Sequence, residues 1–330
     1  MINAAFDLLD FLRSNFSMIF ALALYTALAV LLAKSIKKNY KVYYWLFGLM
    51  SAGFVIPVVV RLCGGTMPFN LGSIPLFGLC FSELSSAANF VHPVLIIIMY
   101  MGAFSPKIPV VGKLMSIRKE LSIIVGFPVI AHAMKRLFGS FVGGWNFFFD
   151  HEAAIQSPRV TSVIGSGISS FVYVLGLVMF VLFLVLWITS FDSVHKKLGT
   201  QRWKSVQKWS YGLYAMLFIH AMGLNLGGYI SDKAREAQQS SAPRTEQVER
   251  APQAQQGHGA PQQAQPQAQQ GHGHGSRPQP FRFSEIEIGR NDKRVLNMVI
   301  LVLIYGSYLY FRLRKAKIAR EKRDTAKTKK

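Results

Sequence analysis

The sequence predicts an all-α membrane protein: a polytopic transmembrane helix bundle of about seven helices with a disordered exterior linker. Three observations predict it. Of 330 residues, 51% are hydrophobic and the mean hydropathy is positive. That average holds despite a polar stretch from about Ser231 to Pro280, so the remainder is more apolar than a soluble domain. Several apolar runs reach the ~20 residues that a helix needs to cross a ~30 Å hydrocarbon core at ~1.5 Å rise. Finally, the basic residues fall in clusters between those runs.

Seven spans follow in order. The first is near 16–34. Asp7 and Asp10 precede it with only Arg13, and Lys34, Lys37, Lys38 and Lys41 follow it. A cleaved signal peptide has the opposite polarity, with positive charge first, so this run reads as a helix whose N-terminus is outside. The second and third are near 43–62 and 88–105. The fourth, near 120–140, contains Pro128, which should kink it and free a carbonyl. The fifth, near 162–190, is long enough to tilt or project. The sixth and seventh are near 208–229 and 295–311.

The positive-inside rule tests the count. Lys107, Lys113, Arg118 and Lys119 lie between the third and fourth spans; Lys196, Lys197, Arg202, Lys204 and Lys208 lie between the fifth and sixth; the last 19 residues, Arg312 to Lys330, hold ten Lys or Arg. Segment 64–87 has no basic residue and 143–161 has only Arg159. The loop 230–293 holds eight basic and seven acidic residues, and at that length it translocates regardless. Seven spans, N-terminus outside and C-terminus cytoplasmic, put every basic cluster inside, whereas an even count breaks the pattern.

The formal charge is +21. Its placement around apolar runs points to membrane topology and lipid, not to nucleic acid. Within the loop, Ala251 to Pro280 is rich in Gln, Ala, Pro and Gly. Such a composition cannot bury enough apolar surface to fold and is expected to be an exterior linker. Its Gly-His-Gly repeats, with His258, His272 and His274, offer imidazoles to a transition metal but no fixed geometry. Cys63 and Cys80 form no CxxC motif. Both are expected outside, where a disulfide is permitted, but two cysteines establish no geometry.

Ionisable groups inside a membrane are costly and are functional candidates by default. His132 lies 13 residues beyond Lys119 and His220 lies 12 beyond Lys208, ~20 Å and ~18 Å from the inner boundary. Two neutral imidazoles at one depth can ligate haem iron axially; they can equally be interhelical hydrogen-bonding residues. Gly223 and Gly227 lie on the face of His220, where they would let a flat macrocycle approach the backbone or let another helix pack closely. Lys135 and Arg136 follow His132 by one turn, placed for haem propionates or for snorkelling to the interface. His92, followed by Pro93, is a substitute ligand, a quinone contact or a helix cap. His151 and His195 read as solvated loop residues.

Two runs carry a family resemblance. "SIRKELSIIVGFPVIAHAMKRL" resembles the segment of ferric-reductase-like transmembrane domains that bears the first haem histidine. "WITSFDSVHKKLGTQRWKSVQKWSYGLYAMLFIHAM", with its KLGxxRWKxxQ followed by Tyr and a later His, is closer still. It resembles the MsrQ type, the haem-binding membrane subunit of the periplasmic methionine-sulfoxide reductase system. The resemblance covers about residues 88–228 and extends at most to 312. It implies b-type haem in a bacterial inner membrane, a cytoplasmic flavoprotein or quinol donor, FMN or quinone as a further cofactor, and a periplasmic oxidoreductase as acceptor. By position, His132 and His220 match the family's outer haem ligands. Gln207 stands where the family commonly has an inner histidine. One haem b rather than two is therefore expected.

The chain thus divides into two N-terminal helices and an exterior loop (1–87), a ferric-reductase-like bundle (88–229), the linker (230–293), and the last helix with its basic tail (294–330). No hydrolase, kinase or P-loop signature is visible, and no dinucleotide-binding domain follows the last helix. The expectation is a membrane oxidoreductase subunit without its own NADPH/FAD domain, passing electrons from a cytoplasmic flavin or quinol donor to an exterior acceptor. The rivals are a haem-free polytopic scaffold that recruits a partner through its linker, and a transporter. The latter lacks the inverted repeat and paired broken helices that mark such folds.

Overall fold

The computed structural model describes residues 2–67, 87–143, 162–241 and 288–328, and every regular element in them is helical. In chain order these are α1 (Ile2–Asn15), α2 (Ser17–Lys38), α3 (Tyr40–Leu62), a π turn (Ala87–Val91) leading into α4 (His92–Met101), α5 (Pro109–Ser116), α6 (Arg118–Gly143), α7 (Val163–Ile188), α8 (Asp192–Leu198), α9 (Thr200–Gln207), α10 (Ser210–Ser241) and α11 (Arg290–Thr328). The expected linker lies mostly outside the described residues, as do Arg159, Cys80, His151, His258, His272 and His274. Cys63 is exposed and has no disulfide partner among the described residues.

Local chemistry sets several boundaries. Pro109 opens α5 at its first turn, where a missing N–H costs nothing. Ser162 caps α7 by accepting the Gly165 N–H at 3.3 Å. Gly199, at φ +73°, separates α8 from α9 in a backbone region that L side chains rarely adopt.

Among the described residues, six helices are long and apolar enough to cross a membrane: Ser17–Lys38, Tyr40–Leu62, Arg118–Phe138, Val163–Ile188, Thr200–Ser240 and Arg290–Lys322. The chain is a multi-pass membrane protein. Large apolar side chains are exposed on these helices, among them Leu31 (77%), Trp45 (72%), Val181 (64%) and Leu303 (65%). Water would penalise such a belt, and lipid would not.

The third expected span is where the structure differs. The π turn and α4 together hold fifteen helical residues, ~22 Å at ~1.5 Å per residue, short of the ~30 Å core. This segment is the centre of the bundle. Residues Phe90 to Met99 are all buried, against Ala29, Ala33 and Ile36 of α2, Leu121, Ile124 and Val125 of α6, Phe183 and Leu186 of α7, and Leu213 and Leu217 of α10. A helix that is apolar on every side is surrounded by protein or by lipid, and hydropathy does not distinguish the two. The first and last helices also depart from expectation. An additional helix, α1, precedes the first span, while α10 continues twelve residues past 229 and α11 starts five residues before 295.

The most extensive packing joins α7 to α10, α3 to α6 and α10 to α11. Polar ties fasten the ends. Lys119 bonds Asp192 at 2.9 Å, with Glu120 at 3.7 Å. At the other end Arg294 bonds Asp232 at 2.9 Å, and Asn291 Nδ2 donates to Glu236 Oε1 at 2.5 Å.

Candidate functional site

Three histidines lie within the bundle on three different helices. His220 of α10 lies within electrostatic reach of both His132 of α6 and His92 at the start of α4. His132 and His220 are half-buried and His92 is buried. Packing of α10 on α7, and of α4 on α6, brings these helices together around the shared core.

The tautomer of His220 follows from its partner. Nδ1 lies 3.0 Å from the carbonyl oxygen of Val172. A carbonyl can only accept, so Nδ1 carries the proton and donates it, and Nε2 keeps a free lone pair. A ring fixed in this way is poised to ligate a metal centre through Nε2. The ring lies against Gly176 of α7, where an added Cβ would stand 3.2 Å from His220 Cε1. Gly176 was not singled out in the sequence; the signal available was its small size on the helix facing His220.

His92 is held differently. Its Nε2 lies 3.0 Å from the Tyr305 hydroxyl of α11, and the two ring centroids are 6.1 Å apart. Phe218 also contacts Tyr305, with ring centroids 5.1 Å apart and the planes tilted by 45°. His92 therefore does not act as a side-chain cap of α4. Tyr305 escaped sequence reading because it is 213 residues from His92 and one of twelve tyrosines.

His132 has no hydrogen-bond partner among the described residues. Arg136 is within electrostatic reach of both His132 and His220, and Lys135 of His132. Both cations are exposed. Gly223 and Gly227 face α7. A Cβ on Gly223 would meet Val172 Cγ2 at 2.3 Å, and one on Gly227 would meet Ile168 Cγ2 at 3.1 Å. Their open face is thus filled by close helix packing.

Gln207 is engaged structurally. Its Nε2 donates to Thr189 Oγ1 at 3.0 Å and to the Leu186 carbonyl at 3.4 Å, while Trp203 Nε1 donates to the Thr189 carbonyl at 2.9 Å. With Gly199 as its turn, the KLGxxRWKxxQ motif clips α9 to the end of α7. His195, expected to be solvated, is half-buried and packs on Trp203 with centroids 4.6 Å apart and the rings tilted by 38°. Trp187 donates from Nε1 to the Ile123 carbonyl at 3.1 Å, across Gly126, and α6 runs on through Pro128 as one continuous helix.

Among the described residues no group of three or more His, Cys, Asp or Glu side chains could hold a metal ion by itself. Haem brings four equatorial nitrogens of its own and needs only axial ligands from the protein. His220 with its free Nε2, and His132 within its electrostatic reach on α6, are imidazoles of the type that such ligation takes. No family model matches the chain, and neither the curated proteins nor the solved structures contain a match.

Proposed function

We propose that this chain is a b-type haem electron-transfer protein of the membrane, taking electrons from a cytoplasmic flavin or quinol donor and delivering them to an exterior acceptor such as a periplasmic oxidoreductase. The observation that carries the reading is the histidine cluster centred on His220, with the ring fixed by the Val172 carbonyl. His132 and His220 would hold the haem axially. When bound, haem supplies a reversible one-electron change in a dry, low-dielectric setting. The protein's own residues do the rest. Val172 orients the His220 imidazole. Arg136 and Lys135 supply positive charge for propionates. Apolar helices α4, α6, α7 and α10 exclude water. Gln207, committed to Thr189 and Leu186, is a poor ligand beside imidazole, which favours a single haem. FMN or quinone would belong on the donor side.

The second reading is a haem-free polytopic scaffold. It is favoured by the packing of Gly223 and Gly227 against α7, which small residues achieve without any cofactor. An absorption spectrum of detergent-purified protein, expressed with ample haem, separates the two. The haem reading predicts a Soret band, an α band that sharpens with dithionite, and one haem per chain by pyridine haemochrome. A colourless preparation rejects it.

A further inference from the structure

A second feature lies at the end of the bundle that carries the Lys/Arg clusters. A cavity of about 250 Å³ opens between the C-terminal end of α4 and the starts of α6 and α10, with α11 as its remaining wall. Arg118, Arg312 and Lys315 line it, and no carboxylate does. The described ion pairs use other cations: Lys119, Lys233, Arg290 and Arg294. Lys315 lies within electrostatic reach of both arginines. Three like charges are thus gathered with no counter-charge in the wall.

Helix capping accounts for part of this. Lys315 Nζ donates to the carbonyls of Gly102 (2.9 Å) and Phe104 (2.8 Å), and Arg312 donates to Gly102 (3.1 Å). These bonds satisfy the end of α4, where cations are favourable. Arg312 also donates to the Tyr211 hydroxyl and lies over its ring at 5.1 Å. Capping does not account for Arg118. Its guanidinium makes no hydrogen bond or ion pair among the described residues, yet it acts on Tyr214, Tyr308 and Lys315 around the same space. Its donors remain available for an anion.

We propose that this cavity binds the phosphate headgroup of an anionic phospholipid, held by Arg118, Arg312 and Lys315. The size is decisive for the headgroup. The volume falls below the ~300–1,000 Å³ of ordinary small-molecule pockets, so the remainder of the ligand lies outside. The surroundings favour a lipid. Met115 and Tyr211 are exposed lining residues, and Trp209, Leu309 and Leu313, each next in sequence to a lining residue, are exposed too. Acyl chains can lie along these residues while the aromatic rings occupy the interface. Basic pockets between membrane helices recognise lipid phosphates by this combination. The site is separate from the histidine cluster and does not depend on haem.

The test uses the full-length protein, delipidated in nonionic detergent and examined by native mass spectrometry. The probes are phosphatidylglycerol, phosphatidylcholine and inorganic phosphate. Phosphatidylglycerol should be retained in preference to the other two. Arg118→Gln should weaken its retention roughly tenfold, the size of one charge-assisted hydrogen bond. Arg320→Gln makes the same charge change on the exposed tail of α11 and should leave retention unchanged. Arg118 has no structural bond to lose, so a well-folded variant is expected even if Arg312→Gln fails to fold. Equal losses in Arg118→Gln and Arg320→Gln would reduce the effect to general electrostatics and overturn the proposal. So would equal retention of phosphatidylcholine, or inorganic phosphate bound as tightly as the lipid.

Discussion

Gly223→Ala tests how closely α7 and α10 must approach for the histidine geometry to exist. The added Cβ would stand 2.3 Å from Val172 Cγ2, whereas ordinary contact begins near 3.4 Å. Val172 is 1% exposed and its branched side chain has little rotamer freedom in a helix, so the methyl cannot swing aside. The helices must separate by roughly 1 Å to relieve the clash. Val172 also supplies the carbonyl that accepts from His220 at 3.0 Å. The same displacement stretches that bond toward ~4 Å, past hydrogen-bonding range. Overpacking of this kind costs about 1–3 kcal/mol, and the lost bond adds about 0.5–1.5 kcal/mol. Gly212→Ala is the internal control. It lies on the same helix with nothing within 4 Å of its would-be Cβ, so relief of glycine's backbone entropy should stabilise it by up to ~1 kcal/mol. Thermal unfolding in detergent, followed by circular dichroism, should move the two variants in opposite directions. If Gly223→Ala unfolds with or above the native protein, the close-packing argument is wrong.

Three further outcomes follow from particular contacts. Gly126→Ala would drive a Cβ to 1.8 Å from Trp187 Nε1 and break the bond to Ile123, so it should destabilise by about 1–3 kcal/mol; an unchanged unfolding temperature contradicts this. Tyr305→Phe leaves the buried His92 without its hydroxyl partner and should cost about 1–3 kcal/mol, whereas a His92→Phe, Tyr305→Phe pair should recover part of that loss, as a double-mutant cycle on unfolding free energies will read. Fusions at Lys330 should report a cytoplasmic C-terminus, and activity of a reporter that works only when exported would mean that α4 does not carry the chain across.

Much of the helical plan was legible because membrane spans announce themselves by length and by the basic clusters between them. Helical rise alone predicts one depth for His132 and His220, and in the fold His132 lies within electrostatic reach of His220. His92 to Met101 is as apolar as a lipid-facing helix although its neighbours are protein, so hydropathy alone predicts a longer third span than the fold holds. Gly223 and Gly227 were legible as a small-residue face, but their partner was not. Only the fold shows Val172 and Ile168 filling it. Arg118, Arg312 and Lys315 were read as topology markers. Their convergence on one cavity depends on tertiary packing across nearly two hundred residues, which no local pattern encodes. Gln207 was read for the ligand it is not, and its bonds to Thr189 and Leu186 give it a structural task instead.

Resonance Raman or magnetic circular dichroism of His132→Ala and His220→Ala, each against the unsubstituted protein, tests the central claim most directly. The unsubstituted protein should give a six-coordinate, low-spin, bis-imidazole signature. Each substitution removes one imidazole–iron bond, so each variant should lose haem or become high-spin. Retention of the bis-imidazole signature at full haem occupancy in both variants would contradict the assignment of His132 and His220 as the axial pair.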